Sequence, residues 1–416
     1  MRLFFVGQFI PYPLVEGSII YVYHRVDRMR SKHDVVFFAP TRRPTDEESM
    51  SFLRNRGWTV ETVSRPRVSK AQAVMARVRA FSGPIPVQWV LSWDDVIGQE
   101  LTRQVSRHRP DAVIIEHLIA SRFLPCIRKG TNAPIVFCGH NVEYLYEARL
   151  AGQAGLTFNG FLRRTQVRKV RACERAAYET ARVGFAISDH DRELVQRLAP
   201  SATIYTLPAG VDMEYFTPDR SLEEEDRVVF TGVLDTLTNS EGAEWLVSEV
   251  LPLVRRERPN VRVDIVGRNP LPSVRALSGV PGVSVEANVP DIRPYVHRAA
   301  VVAAPIWPDS GVRLKLLEAF AMGKAVVSTA KAAEGLEVAD GENILIREDP
   351  GSFAAAIVRL LNDESERHKL GEAGRGFAQR FSWDAICEGF DQRLREALEG
   401  RADAEKDTSV PHPERL

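Results

Sequence analysis

Arg313, Lys315 and Glu318 lie close together where the sequence predicts the start of a helix, from about Val312 to Met322. The free N–H groups in the first turn of a helix attract anions, and cations in that turn are unfavourable next to the helix dipole. A bound anion would explain the two cations, and the carboxylate could accept hydrogen bonds from the hydroxyls of a ribose. Diphosphate and ribose together indicate a nucleotide. From the spacing alone, the alternative is a surface connection whose charges are hydrated.

His140 follows a predicted buried strand, Ile135 to Phe137, and is the second candidate for chemistry. A lone histidine in such a place is more often structural than functional, so the residue type by itself leaves both interpretations open. Asp189 and Asp191 have the D-x-D spacing of metal-binding motifs. We interpret them instead as first-turn acids of a helix that Ser188 caps, and we expect no metal site.

The segment from Gly311 to Ser328 resembles the signature helix of the GT-B glycosyltransferases of the GT4 type, G-x-x-x-K/L-L-L-E-A-x-A-x-G-x-x-V-V-S. Further patches of this family follow in the right order, and the resemblance extends from residue 1 to about 398. These patches are Gly17-Ser18, His140-Asn141-Val142-Glu143, Leu207-Pro208-Ala209-Gly210-Val211-Asp212 and Thr231-Gly232-Val233-Leu234. One patch is weakly specific, whereas several in order on two α/β domains form a strong signal.

The resemblance implies that a sugar passes from a nucleoside-diphosphate sugar to an acceptor with retention of configuration and without a metal ion. It implies that Glu318 holds the ribose hydroxyls, that Arg313 and Lys315 stabilise the leaving diphosphate, and that His140 lies near the donor sugar. We therefore assign His140, Arg313 and Lys315 to catalysis. The donor-binding residues implied with Glu318 are Gly17, Gly232, Val289, Ser310, Gly311, Val312 and Leu314.

Two departures from the family pattern affect the charges of the predicted site. Ser310 stands where many relatives carry an acidic residue eight positions before the helix glutamate. The loop from Asp235 to Ser240, after the Thr231-Gly232 turn, lacks the arginine and lysine that many relatives place there. We expect Arg313 and Lys315 to supply that missing positive charge.

Near-continuous apolar runs alternate with helical stretches twice along the chain, as is typical of parallel strands covered by helices. The runs in the first half are Leu3 to Val6, Val35 to Phe38, Ala112 to Ile115, Ile135 to Phe137, Phe185 to Ile187 and Ile204 to Leu207. Those in the second half are Val228 to Thr231, Val261 to Val266, Val283 to Glu286, Val301 to Ala304, Ala325 to Ser328 and Asn343 to Ile346. Between the halves, the segment from Pro208 to Asp226 combines Pro, Gly and an acidic run, which predicts a linker. The predicted fold class is α/β, with two doubly wound Rossmann-like domains that, by the resemblance, face each other across a cleft. The acceptor-side domain is predicted to cover residues 1–212, and the nucleotide-sugar-binding domain residues 213–380. Residues 381–398 are predicted to form a helix that crosses back to the N-terminal domain, with Ser382 as its N-cap, and residues 399–416 a disordered tail.

The 416-residue chain carries 55 basic and 55 acidic residues, and this balance argues against nucleic-acid binding through bulk charge. Its four cysteines include no C-x2-C pair, and no apolar run reaches the roughly 18 residues that a membrane-spanning helix needs. We therefore expect a cytoplasmic protein. Arginine outnumbers lysine 46 to 9, which is typical of a bacterial genome rich in G and C.

The segment 149–182 is basic and contains an apolar insertion at 154–162. A basic amphipathic helix next to exposed Phe and Leu residues would lie weakly on the inner face of an anionic membrane and would suit a lipid-linked acceptor. The alternative is a solvated arginine face, with Val167, Val170, Ala177 and Tyr178 packed inward.

From the resemblance we expect a hexosyltransferase without a cofactor, whose co-substrate is a UDP-, GDP- or dTDP-linked sugar. The acceptor would be a saccharide, a lipid-linked molecule or a natural product that offers a hydroxyl or an amine. Two alternatives remain: a sugar-nucleotide epimerase or hydrolase on the same fold, and a non-catalytic partner protein. Ser310 and Ala209, both departures from the family pattern, favour the second of these alternatives.

Overall fold

The computed structural model describes residues 1–14, 17–41, 45–64, 69, 71, 74–75, 78, 83, 86–90, 95–154, 158–306 and 314–399. The chain divides into two compact units. The first unit consists of Met1–Pro208 and the chain from Cys387 onward, and the second consists of Ala209–Ile386. The helix Trp383–Leu398 therefore begins in the second unit and ends in the first. As predicted, Ser382 caps it, because its Oγ accepts a hydrogen bond from the Ala385 N–H at 3.1 Å.

The sheet of the first unit has parallel strands in the order β3-β2-β1-β4-β5-β6-β7. The direction of winding reverses between β1 and β4, and ligands of open α/β sheets bind at the carboxyl ends of strands next to such a reversal. The strands are β1 Arg2–Val6, β2 Asp34–Thr41, β3 Thr59–Ser64, β4 Ala112–Glu116, β5 Ile135–Cys138, β6 Val183–Ala186 and β7 Ile204–Thr206.

The sheet of the second unit is also parallel, in the order β10-β9-β8-β11-β12-β13. Its winding reverses between β8 and β11, so the carboxyl ends of these two strands mark the equivalent place. The strands are β8 Glu224–Val233, β9 Arg262–Arg268, β10 Val283–Ala287, β11 Ala299–Ala304, β12 Ala325–Ser328 and β13 Leu345–Ile346. Together the two sheets confirm the predicted class of two doubly wound α/β units.

Helices connect the strands. In the first unit they are α1 Gly17–Met29, α2 Asp46–Asn55, α3 Val87–Val90, α4 Asp95–His108, α5 Leu124–Gly130, α6 Glu143–Gln153, α7 Phe158–Thr180 and α8 Asp189–Leu198. In the second they are α9 Leu237–Trp245, α10 Leu251–Val254, α11 Pro272–Ala276, α12 Arg293–Arg298, α13 Leu314–Ala321, α14 Pro350–Asn362 and α15 Glu364–Gln379, and α16 Trp383–Leu398 follows. A π-helical segment, Leu246–Val250, joins α9 to α10.

Two segments differ from the sequence prediction. Strand β3 was not predicted because it is an edge strand with only two apolar residues, Val60 and Val63, among polar ones. The acidic run through Glu224 and Asp226 was predicted to be linker, and this was wrong. Strand β8 begins at Glu224, and the side chains of Glu224 and Asp226 pair with Arg227 and Arg258.

Candidate active site

Helix α13 follows strand β11 at the carboxyl edge of the second unit's sheet. Leu316, Leu317 and Phe320 bury one face of this helix, and Gly323 follows its end with φ of +66°, as the sequence predicted. Lys315 and Glu318 stand three residues apart and are only partly buried. Their spacing places them as neighbours on one face of the helix.

Lys315 lies against strand β8 and helix α9. Its Nζ donates a hydrogen bond to Oδ1 of Asn239 at 2.6 Å and lies 4.7 Å from the centre of the Phe230 ring. A Cβ atom on Gly232 would come within 2.9 Å of both Lys315 Nζ and Asn239 Cγ. The structure thus brings Gly232 and Lys315 together. Thr231 and Gly232, predicted to form a turn, belong to strand β8, and the lysine cation lies beside the segment 235–240 that follows this strand and contains no Arg or Lys.

Glu318 is partly buried, and its carboxylate has a defined shortage of hydrogen-bond donors within the described part of the chain. Among the described residues, none donates a hydrogen bond to this carboxylate. Burial raises the pKa of Glu318 to about 7, and the nearby Lys315 cation opposes that rise. A carboxylate removed from water without a partner is unfavourable unless a ligand supplies the missing donors.

The structure describes some of the other predicted donor-site residues. Val289 lies just after strand β10, at the same edge of the sheet, and is partly buried. Asn288 before it has φ of +56°, and its Oδ1 accepts a hydrogen bond from the Asn269 N–H at 3.0 Å. Leu314 is the first described residue of α13. The predicted residues Ser310, Gly311, Val312 and Arg313 lie outside the described part of the chain.

In the first unit, Gly17 begins helix α1 and is exposed, whereas His140 is buried two residues after strand β5. Its Nε2 lies 3.0 Å from Oε2 of Glu116, the last residue of strand β4. Burial lowers the pKa of His140 well below its usual value, and the Arg25 cation adds to the lowering. The imidazole is therefore neutral at physiological pH.

Arg25 and Glu116 are site residues that sequence analysis missed. Arg25 of α1 is 1% exposed, Glu116 is fully buried, and Nη2 of the arginine donates a hydrogen bond to the glutamate Oε2. Burial raises the pKa of Glu116, against the opposing effect of Arg25. Two signals in the sequence could have revealed the pair. Arg25 stands among the apolar positions of a predicted helix, and Glu116 stands at the end of an apolar run.

His117 extends this cluster. Its φ is +69°, a region that residues other than glycine rarely adopt. Its ring stacks on that of His140, with centroids 3.6 Å apart and planes at 19°. Both of its ring nitrogens are buried and have no hydrogen-bond partner among the described residues. Burial lowers the pKa of His117 well below its usual value, and the neighbouring His140 contributes to that shift.

The alternative site at Asp189 and Asp191 has the structural role that the sequence predicted. Ser188 caps helix α8, because its Oγ accepts a hydrogen bond from the Asp191 N–H at 3.1 Å. Asp189 Oδ1 accepts a hydrogen bond from the Thr206 hydroxyl at 2.5 Å. Within the part of the chain that the structure describes, no three His, Cys, Asp or Glu residues are grouped so that they could hold a metal ion.

The basic segment 149–182 packs largely as the solvated-face alternative predicted. Val170, Ala177 and Tyr178 of α7 are buried in the first unit's core, whereas Val167 is only partly buried. On the outside, Phe161 is 57% exposed, and Tyr146 of α6 is exposed as well. Of the helices in the described ranges, none is long and apolar enough to cross a membrane.

Comparison with family models gives two matches. The model of Glycosyltransferase Family 4 matches residues 15–215, and the model of Glycosyl transferases group 1 matches residues 225–363. The first range contains His140 and the Arg25–Glu116 pair. The second contains Gly232, Lys315 and Glu318.

Curated relatives are similar over about half of the chain. Over 245 residues the chain is 28% identical to the D-inositol 3-phosphate glycosyltransferase of Corynebacterium jeikeium, covering 52% of this chain and 58% of that protein. Over 228 residues it is 30% identical to the GDP-mannose-dependent alpha-(1-6)-phosphatidylinositol monomannoside mannosyltransferase of Mycolicibacterium smegmatis, covering 49% and 58%. The matched part of the chain thus spans less than two thirds of the length of these relatives.

Solved structures are similar over nearly the whole chain. The sucrose-phosphate synthase of Thermosynechococcus elongatus superposes with a TM-score of 0.68 at 16% identity, covering 96% of this chain and 99% of that one. The Anabaena protein Alr3699/HepE in complex with UDP-glucose superposes with a TM-score of 0.62 at 14% identity, covering 95% and 100%. At such identities the similarity concerns the fold.

Proposed function

Because the chain belongs to the GT4-type glycosyltransferases of the GT-B fold, we propose that it transfers a sugar from a nucleoside-diphosphate sugar to a hydroxyl or amine acceptor, with retention of anomeric configuration. The observation that carries this proposal is the Glu318 carboxylate, partly buried at the carboxyl edge of the second unit's sheet without a described hydrogen-bond donor. Two adjacent ribose hydroxyls would donate to its two oxygens, and each hydrogen bond to an ionised carboxylate is stronger than a neutral one.

Lys315 of α13 and Arg313, which precedes this helix in the sequence, are proposed to act on the diphosphate. When the bond between the sugar's anomeric carbon and the diphosphate oxygen breaks, negative charge grows on the departing group. Lys315, which is held by Asn239, and Arg313 would stabilise that charge most in the transition state. Protein cations in these positions would make a metal ion unnecessary, so we propose a metal-independent reaction.

His140 is proposed to accept a hydrogen bond from a hydroxyl of the donor sugar, since its ring is neutral. No acidic side chain is required as a general base in this scheme. The bond to the acceptor oxygen forms on the face from which the diphosphate leaves, and the acceptor's proton passes to the departing diphosphate oxygen. This order of events retains the anomeric configuration.

We propose that the acceptor is a saccharide or polyol bound by the first unit, either free or linked to a lipid. The names of the two relatives contain a phosphorylated inositol and a phosphatidylinositol mannoside, which supports this class of acceptor. Exposed Phe161 among the basic side chains of α7 would favour weak contact with anionic lipid. Co-sedimentation with phosphatidylglycerol vesicles, compared with neutral vesicles, tests that contact.

The function is tested by thermal unfolding with UDP, GDP, dTDP and ADP and with their common sugars. A ligand at 100 times its dissociation constant adds about 2.7 kcal/mol to the free energy of unfolding, which is readily measured. We expect one nucleotide family to stabilise the protein, and its sugar to be transferred with retained configuration. A sugar that is hydrolysed or epimerised with donor alone would favour the other enzyme class. Nucleotide binding without any turnover would favour a non-catalytic partner.

A further inference from the structure

The buried ion pair of Arg25 and Glu116 has no evident value for stability. The side chains are 2% and 0% exposed. Desolvation of two buried charges commonly cancels their attraction, and well-packed apolar residues in the same place are often as stable or more so. The guanidinium carbon also lies 4.4 Å from the centre of the Tyr21 ring, which fixes its position further. A costly, well-fixed pair at the ligand-binding edge of the sheet suggests a role in the site.

One atom connects this pair to the candidate active site. Oε2 of Glu116 accepts the hydrogen bond from Arg25 and lies 3.0 Å from Nε2 of His140. When the contact with Arg25 keeps Glu116 ionised, its carboxylate can only accept hydrogen bonds, and the proton of the neutral imidazole then resides on Nε2. The lone pair then remains on Nδ1. No described residue makes a hydrogen bond to that atom.

The neighbouring groups support the neutral state of the ring. The ring of His117 stacks on that of His140, with ring centroids 3.6 Å apart. Protonation of both rings is unfavourable at this distance, because the two positive charges would repel each other. Burial and the Arg25 cation lower the pKa of His140. The other titratable groups of the cluster are Tyr21 on α1, Cys138 on β5 and Cys387 on α16. Burial raises the pKa of Tyr21 and of the Cys138 thiol, so both stay uncharged at neutral pH.

We propose that Arg25 and Glu116 are positioning residues that hold His140 as its Nε2–H tautomer, so that Nδ1 accepts a hydrogen bond from a substrate hydroxyl. The inference rests on the proposed function, which assigns His140 to the donor sugar. Glu116 fixes the tautomer and the orientation of the ring. Arg25 keeps Glu116 ionised and therefore unable to donate to the ring.

The test is the substitution Glu116→Gln in the full chain, with Glu61→Gln as its matched control. Glu61 also makes a 3.0 Å contact with a histidine, between its Oε1 and Nε2 of His108, but lies outside the cluster. Histidine-selective 15N NMR, with the His140 signal identified by its loss in His140→Gln, reads the tautomer directly. We expect Nε2–H in the wild type and in Glu61→Gln, and a gain of Nδ1–H in Glu116→Gln, whose amide can donate to Nε2.

Kinetics provide a second readout. We expect Glu116→Gln to reduce kcat at least about tenfold while the dissociation constant for the nucleotide alone changes less than about twofold. An Nδ1–H tautomer in the wild type overturns the inference, and so does an unchanged tautomer with full turnover in Glu116→Gln. Because the NMR measurement needs no turnover, failure of the proposed function would leave this inference decidable.

A second variant covers the case in which Glu116→Gln does not fold because Arg25 is left unpaired. Arg25→Met combined with Glu116→Gln removes both charges of the pair. We expect this double variant to unfold at a temperature near that of the wild type and still to show the altered tautomer and reduced kcat. A loss of stability with wild-type tautomer and kcat would mean that the pair is only structural.

Discussion

The carboxyl edges of the two sheets hold their charged side chains in opposite ways. In the first unit, Arg25 and Glu116 are both buried and neutralise each other, and His140 beside them is uncharged. In the second unit, Lys315 is held by Asn239, and its neighbour Glu318 has no hydrogen-bond donor among the described residues. The two opposite charges of the first arrangement are matched within the protein, although Nε and Nη1 of Arg25 and Oε1 of Glu116 have no hydrogen-bond partner among the described residues. In the second arrangement, the described residues offer the carboxylate no hydrogen-bond donor.

This difference separates positioning from binding. A cluster whose charges are already matched gains little from an added ligand charge, and it serves to present a neutral ring in a fixed orientation. A partly buried carboxylate whose pKa is raised to about 7 gains much from hydroxyl donors, because they stabilise its ionised form. Donor affinity should therefore depend on the second unit, and the orientation of a reacting group on the first.

Removal of the Glu318 carboxylate should have the largest effect on nucleotide affinity. Glu318→Ala deletes two charge-assisted hydrogen bonds to the ribose, and we expect binding to weaken by about 1.5–3 kcal/mol, or roughly 10- to 150-fold. Isothermal titration calorimetry with the nucleotide found in the thermal screen measures the change. Glu334→Ala, which removes an exposed carboxylate paired with Lys331, is the control and should bind normally.

The same titration of Glu116→Gln tests whether the first unit contributes to nucleotide affinity. Its nucleotide affinity should remain within about twofold of the wild type, because the cluster of the first unit is not expected to bind the nucleotide. Equal losses of affinity in Glu318→Ala and Glu116→Gln would contradict the division between binding and positioning. Wild-type affinity in Glu318→Ala would show that the donor site lies elsewhere.

Nucleotide affinity should also depend on pH through Glu318. Its carboxyl is protonated below its pKa of about 7, whereas the bound ribose favours the ionised form, so that binding releases a proton. Affinity should thus be constant above pH 8 and about tenfold weaker at pH 6, since one pKa unit corresponds to about 1.4 kcal/mol. Titrations in buffers of different ionisation enthalpy measure the released proton.

Glu318→Gln separates this effect from the ionisation of the nucleotide's own phosphates. The variant cannot titrate at this position, so the pH dependence that remains belongs to the phosphates and to other groups. We expect its affinity to fall less between pH 8 and pH 6 than that of the wild type. Identical pH profiles would mean that Glu318 is ionised throughout, or does not contact the nucleotide.

Most of the fold could be predicted from the sequence, because a strand that is buried on both faces consists of an almost continuous run of apolar residues. Strand β4 is buried at all of its positions and was predicted, whereas the edge strand β3, with only two apolar residues, was not. The linker prediction was wrong for a different reason. An acidic run is typical of a solvent-exposed linker, but Glu224 and Asp226 belong to strand β8. Their side chains pair with Arg227 of the same strand and with Arg258.

The sequence revealed more of the candidate-site residues in the second unit than of those in the first. Lys315 and Glu318 stand on one helix, so their spacing alone places them on the same face. Arg25, Glu116 and His140 come from three separate elements, and their proximity depends on the order of strands β1, β4 and β5 in the sheet. A sequence shows each of these residues separately and does not show that one carboxylate oxygen contacts both of the others.

The smallest expected effect comes from Gly232, and it tests whether the position of the Lys315 cation matters. In Gly232→Ala the new Cβ would lie 2.9 Å from Lys315 Nζ and from Asn239 Cγ, so the flexible lysine must move away. We expect little change in the unfolding temperature, and a loss in kcat/KM of about three- to tenfold, because the cation no longer meets the departing diphosphate. The control is Gly376→Ala, where an added Cβ meets nothing within 4 Å and helix propensity should rise. Wild-type kcat/KM in Gly232→Ala would mean that transfer does not depend on where the Lys315 cation lies, and the leaving-group role would then pass to Arg313 alone.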